Sequence, residues 1–276
     1  MTDFSEQESQ YTEQSSGTSD GYARIYWMNG EPRVKTPGRF WAFPDRLAEA
    51  GITVGAPWSE PQKHAFKDGN EKPLHFARAL RLAPICWRQQ NFIKDDEGGV
   101  ATWLEPGKRG KFGPGEAVFF EMLAIVEGLS EPVVFSTKSI KAAMAFLANI
   151  LPDYRKVRDA IKAERGGRAV PPWWFWLAIR SAVDPQTKEP VYEKTSGSMV
   201  TPPIWVMPPN LESRETWKTM YVGSDLAAVG EAAWLAARDW ASRPISEGFS
   251  AQGAEEAAPA GGRNVPQAVT DANLPF

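Results

Sequence analysis

Pro172-Trp173-Trp174-Phe175-Trp176-Leu177-Ala178-Ile179-Arg180 is the stretch that most constrains this chain. Side chains alternate faces along an extended strand. A strand over residues 173–183 therefore puts Trp173, Phe175, Leu177 and Ile179 on one face, a set suited to a core. Trp174, Trp176, Ala178 and Arg180 fall on the other. Two large rings followed by a guanidinium admit two readings. A terminal helix covers them, with Trp234 and Trp240 as packing partners, or the face is open. An open face would stack bases for roughly 1–3 kcal/mol each, with the cation on phosphate.

The chain holds 12 Trp in 276 residues, more than one core needs, so the positions beside bases are the ones to follow. Trp87 precedes Arg88, and Arg39 precedes Phe40 and Trp41. Trp103 leads into Pro106-Gly107-Lys108-Arg109-Gly110-Lys111-Phe112-Gly113-Pro114, whose Lys108, Arg109 and Lys111 among glycines describe an exposed positive loop. Each pair alone also fits core packing. Together they fit an aromatic, positive groove that follows a single strand. The basic run Arg155-Lys156-Val157-Arg158, with Lys162 and Arg165, reads as a solvated helix face.

A net charge of −3 conceals an asymmetry. Residues 1–20 carry five acids and no base, and residues 247–276 carry four acids against Arg263, which leaves +5 for residues 21–246. A basic body between acidic tails suits a polyanion partner, and it also suits tails that merely keep a protein in solution.

Residues 1–21 are polar and acidic and are expected to be disordered. One domain is expected over 22–245, and a Gly-, Ala- and Pro-rich tail over 246–276. Asn29-Gly30 predicts a two-residue hairpin between residues 25–28 and 33–35. Residues 55–75 read as a loop. Strands are expected at 82–93, 100–104, 117–126 and 132–136, the third being ambiguous with a buried helix. A helix capped by Ser136 or Thr137 carries Ile140, Ala143, Met144, Leu147 and Leu151, and Pro152 should break it. A second helix follows from Tyr154 to Gly166-Gly167. After strands at 173–183 and 199–207, residues 212–243 read as a helix interrupted near Gly223-Ser224. The order is α+β and mainly β. It matches coarsely an expanded OB-fold-like barrel, with a helix between the third and fourth strands and a C-terminal helix added.

Signatures of catalysis are scarce. The chain lacks a Walker-type phosphate loop, GxGxxG and HExxH, and it has no GxSxG elbow. No catalytic residue and no cofactor is implied. Cys86, the single cysteine, excludes an internal disulfide, fits a reducing cytoplasm and reads as a small buried hydrophobe. With only His64 and His75 beside it, a zinc site is poorly supplied. Glu121 and Glu127 could form a two-metal centre only if the fold brought them together. No apolar run is long enough to span a membrane.

The ending Asp271-Ala272-Asn273-Leu274-Pro275-Phe276 resembles the tip of bacterial and phage single-stranded DNA-binding proteins. In that family acidic residues lead into an apolar residue and a terminal Pro-Phe. The resemblance covers six residues and the general layout. It implies that Phe276 enters an apolar pocket on a partner while its carboxylate meets a basic group. Pro275 and Leu274 would support it, and Asp271 is the single acid where the family shows a run. The function so implied is non-enzymatic. A single DNA strand would be bound with little sequence preference by a phage or mobile-element protein in a bacterial cytoplasm. The tip would recruit replication, recombination or repair proteins. A homo-oligomer is among the expected assemblies, because one OB-like module covers few nucleotides. Two alternatives are an adaptor that carries the tip without binding DNA, and a virion or assembly protein whose rings are all core.

Overall fold

The computed structural model describes residues 21–53, 56–65, 71–94, 100–105, 115–137, 139–194 and 199–246. Residues 1–20 of the expected N-terminal tail, the loop bases Lys108, Arg109 and Lys111, and the tip residues Asp271, Leu274, Pro275 and Phe276 lie outside them.

The architecture is α+β around one large sheet. Its N-terminal strands are β1 (Arg24–Met28), β2 (Arg39–Ala42), β3 (Gln62–Ala65), β4 (Glu71–Ala77), β5 (Ala79–Lys94) and β6 (Val100–Trp103). There follow β7 (Glu116–Val126), β8 (Val133–Thr137), β9 (Leu177–Ser181), the short β10 (Glu193–Lys194) and β11 (Met199–Val200), and β12 (Pro203–Trp205). Ten strands run in the order β12-β9-β5-β7-β8-β1-β2-β4-β3, with β6 added on β5, while β10 and β11 pair separately. Among the described residues of the large sheet, only β1 and β8 run parallel.

Where the sequence left residues 117–126 open between strand and helix, the chain is extended. Every residue of β7 after Glu116 is buried, as a central strand covered on both faces must be. β4 enters β5 across Arg78 alone, so the two form one long strand with a corner. Because β4 pairs with β2 and β5 with β7, the ladders lead from β2 through this corner to β7, β8, β1 and back to β2. The ten-strand sheet as a whole is nonetheless open. No pairing among the described residues joins β12 to β3, so the large sheet does not close on itself.

Helices are α1 (Pro44–Glu49), α2 (Ile140–Met144), α3 (Leu151–Glu164), α4 (Arg214–Met220) and α5 (Ser224–Ala236). Ser139, not Ser136 or Thr137, caps α2, its hydroxyl accepting from the Ala142 N–H, because β8 still holds the two earlier residues. Pro152 does not break the helix. A π turn over Ala145–Ile150 opens the ladder ahead of it and places Pro152 in the first turn of α3, where no N–H is required. The interruption expected near Gly223 separates α4 from α5, and Gly223 has φ of 93°.

One face of the sheet packs Phe40, Leu80, Phe120, Met122, Phe135, Leu177 and Ile179 against Phe146, Tyr154, Val157 and Ile161 of the π turn and α3. The opposite face carries Cys86, Leu123, Ile125 and Val134 beneath Trp173, Trp176, Ala233, Ala237 and Trp240. Farther along, Trp41, Phe76, Phe92 and Phe119 pack with Ile245.

The Asn29-Gly30 hairpin is not formed. β2 begins only at Arg39, and residues 29–38 make a longer connection that crosses to the β11–β12 segment. Buried Thr201 holds it there: its hydroxyl accepts from the Gly30 N–H at 2.6 Å, and its carbonyl from Trp27 Nε1 at 3.1 Å. Added methyls explain both glycines, since one on Gly30 would overlap the Thr36 carbonyl and one on Gly38 would overlap Trp27 and Thr201. Thr201→Val keeps the shape and strands the Gly30 N–H. A loss of about 1–3 kcal/mol is expected, read as a lower urea midpoint.

Candidate nucleic-acid interface

The aromatic run begins later as a strand than alternation suggests. Pro172–Trp174 is a 3-10 turn, and β9 starts at Leu177. Pro171 and Pro172 fix φ and lack N–H groups, so they favour a turn over a ladder position. The turn is held firmly. Tyr154 donates its hydroxyl to the Pro172 carbonyl at 2.6 Å, and the Val222 N–H donates to the Trp174 carbonyl at 3.0 Å. Trp176 N–H donates to the Met220 carbonyl at 2.8 Å.

This turn separates the two rings. Trp176 is 7% exposed and joins Trp173 beneath the C-terminal helix, as the covering-helix reading required. Trp174 stays half-buried, with Tyr221 edge-on at 6.3 Å and the Arg165 guanidinium 4.8 Å from its ring. Phe175, Leu177 and Ile179 are fully buried, as the alternation predicts. Arg180 is exposed on β9, between Ile204 of β12 and Ala79 of β5.

The other expected pairs disperse. Trp41 is fully buried and stacks on Tyr26 at 4.5 Å. Arg88 is buried and engaged by Glu121, with its guanidinium 4.1 Å from the Trp240 ring. Trp41, Trp176 and Arg88 therefore offer no surface to a strand in this conformation. Trp87 is half-buried against the main core, and Trp103 packs on Phe92 and Phe119. Arg39 lies 3.7 Å from the Phe76 ring centroid. Glu121 and Glu127 also separate, the second pairing with Arg81 at 2.9 Å. Among the described residues no group of three or more His, Cys, Asp or Glu is placed to hold a metal. None of their helices is long and apolar enough to cross a membrane.

What the structure brings to Trp174 is Arg165, from the end of a strongly basic helix. Residues 155–168 hold six bases, Arg155, Lys156, Arg158, Lys162, Arg165 and Arg168, against Asp159 and Glu164. That net +4 is most of the body's positive excess. Gly166 and Gly167, with φ of 64° and 85°, reverse the chain so that α3 ends beside the aromatic turn. Arg158 donates through Nε and Nη2 to the Val170 carbonyl, and Arg165 through Nη1 to the Ala169 carbonyl. No carboxylate lies within 4 Å of Arg155, Lys162, Arg165 or Arg168 among the described residues. Burial, then the neighbouring Arg168 charge, holds the Arg165 guanidinium below its ordinary value. Arg158 is lowered chiefly by burial, and Arg155 adds to the effect. An anion beside Arg165 and Arg168 would relieve their mutual repulsion.

No family model, curated protein or solved structure matches this chain. The site must therefore be judged on its own chemistry. Sequence reasoning named Trp174 and Arg180 but assigned Arg155 to Arg165 to a solvated face. Arg168 and Tyr221 it missed. The signal was available in Gly166-Gly167, a reversal that returns a basic helix end to an aromatic run a few residues later.

Proposed function

We propose that this protein binds single-stranded DNA without catalysis, through the Trp174 platform and the bases at the end of α3. The observation that carries this is a half-buried ring with the guanidinium of Arg165, itself part of a segment of net +4, 4.8 Å away. Stacking is indifferent to sequence because every base has a π-face, and the cations take phosphates. Arg180 would extend the track along β9. Lys108, Arg109 and Lys111, outside the described residues, would add to it.

The ladder circuit supports the OB-like part of the reading. An OB-fold is a partly open five-stranded barrel. Here the bent β4–β5 strand, β7, β8, β1 and β2 would fill those five places, with α2 and α3 following β8. On this reading the protein works in replication, recombination or repair of phage or mobile-element DNA in a bacterial cytoplasm. The Asp271–Phe276 ending recruits partner proteins. The burial of Trp41, Trp176 and Arg88 favours a second reading, an adaptor that carries the tip without binding DNA.

Titrating tryptophan fluorescence with poly(dT) separates the two. Quenching that weakens steeply with salt is expected. Trp174→Ala should lower affinity by about 1–3 kcal/mol, roughly 5- to 150-fold. Absence of quenching at low salt would leave the adaptor.

A further inference from the structure

The face of β5, β7 and β8 opposite α3 is crossed by residues 240–246, just where the described chain ends. Trp240 and Ile245 are buried against it, at 4% and 1% exposure. The attachment between them is polar. Arg88 donates through Nη1 to the carbonyls of Trp240 at 3.2 Å and Arg243 at 3.4 Å. Gln90, also buried, donates to the Ser246 hydroxyl at 3.2 Å and the Leu104 carbonyl at 2.9 Å, and accepts from the Ser246 N–H at 2.9 Å.

Those contacts copy what a nucleotide offers. The Trp240 ring lies 4.1 Å from the guanidinium carbon of Arg88, as a base would stack on an arginine plane. The two carbonyl oxygens accept from that guanidinium as phosphate oxygens would. Gln90 presents both a donor and an acceptor, the pair needed to read a base edge.

We propose that residues 240–246 are a displaceable strap, and that Arg88 and Gln90 beneath it form a second, latent site for a single DNA strand. This rests on the nucleic-acid reading above. Arg88 would keep Nε and Nη2 on Glu121 and turn Nη1 from the strap carbonyls to a phosphate. Strand and strap then exclude each other, so binding there lifts the segment from which the tail departs.

Cys86 is a built-in reporter. It is 5% exposed, packs in the cluster that includes Trp240, and burial pushes its thiol up to about 12. The full chain is treated with Ellman's reagent with and without a saturating thirty-residue oligo(dT), and tryptophan quenching is recorded in parallel. Oligomer should speed Cys86 modification at least about tenfold, by lifting Trp240 out of that shared cluster. Ile245→Asp, which loosens the strap without touching Arg88 or Gln90, should speed modification with no DNA and tighten oligo(dT) binding several-fold. Quenching with an unchanged thiol rate would overturn the strap and leave the Trp174 site standing. Binding by Ile245→Asp alone would support the strap and overturn the Trp174 site. Binding by neither protein would overturn both.

Discussion

Glu121→Ala is expected to destabilise the protein by about 3–5 kcal/mol, the cost typical of removing one partner from a buried ion pair. Glu121 is 1% exposed in the middle of β7. Its Oε2 accepts from Arg88 Nε at 2.8 Å and Nη2 at 2.6 Å, and its Oε1 accepts from Arg24 Nη1 and, at 3.3 Å, from the Ser136 hydroxyl. One carboxylate thus ties β5, β7, β8 and β1 together, and its loss leaves two guanidiniums inside without it. Against a total stability of about 5–15 kcal/mol that is a large fraction. The exposed pair Lys35–Glu189, at 2.6 Å, should by contrast contribute little, because solvent screens it. Urea denaturation followed by circular dichroism checks both. Glu121→Leu combined with Arg88→Met should recover at least half of the loss, because apolar replacement of a buried pair is often close to neutral. A Glu121→Ala midpoint indistinguishable from wild type would show that the network carries little stability.

The same network shows where sequence reading succeeds and where it stops. Alternation correctly placed Phe175, Leu177 and Ile179 inside, and the apolar run of β5 was legible as a strand, whereas that of β7 fitted a buried helix as well. The α+β class follows from those runs and the periodic segment after Ser139. Alternation says which residues share a face, but it cannot say what covers that face. For Trp176 and Arg88 both readings stayed open, because Trp240, which shares a cluster with the first and packs on the second, lies some sixty to a hundred and fifty positions away. Local rules failed for a related reason. The turn preference of Asn29-Gly30 is worth less than the buried bond from Gly30 to Thr201, a contact invisible to any short window. At Pro152 a π turn resolves the conflict that a regular helix could not. The cation over Trp174 is Arg165 of α3, brought there across the Gly166-Gly167 reversal, whereas Arg180 lies on β9.

Arg165→Glu with Arg168→Glu is expected to reduce single-strand affinity roughly 100-fold near 0.1 M salt, while stability changes by no more than about 0.5 kcal/mol. The two effects part because the groups sit differently. Arg168 is exposed, and Arg165 bonds only the Ala169 carbonyl while lying over Trp174, so neither secures the sheet. Each phosphate contact to a single strand adds about 0.7 to the slope of log affinity against log salt. Losing two should lower that slope by about 1.4, and the new carboxylates would repel the backbone besides. Trp174→Ala should instead weaken binding with the slope nearly unchanged, since stacking releases no counterions. The paired measurements therefore distinguish phosphate contacts from stacking at one site. If the double charge reversal leaves the slope intact, strand binding has been assigned to the wrong part of the molecule. Attention would then pass to the face beneath the strap, where Arg88 is the cation in reach.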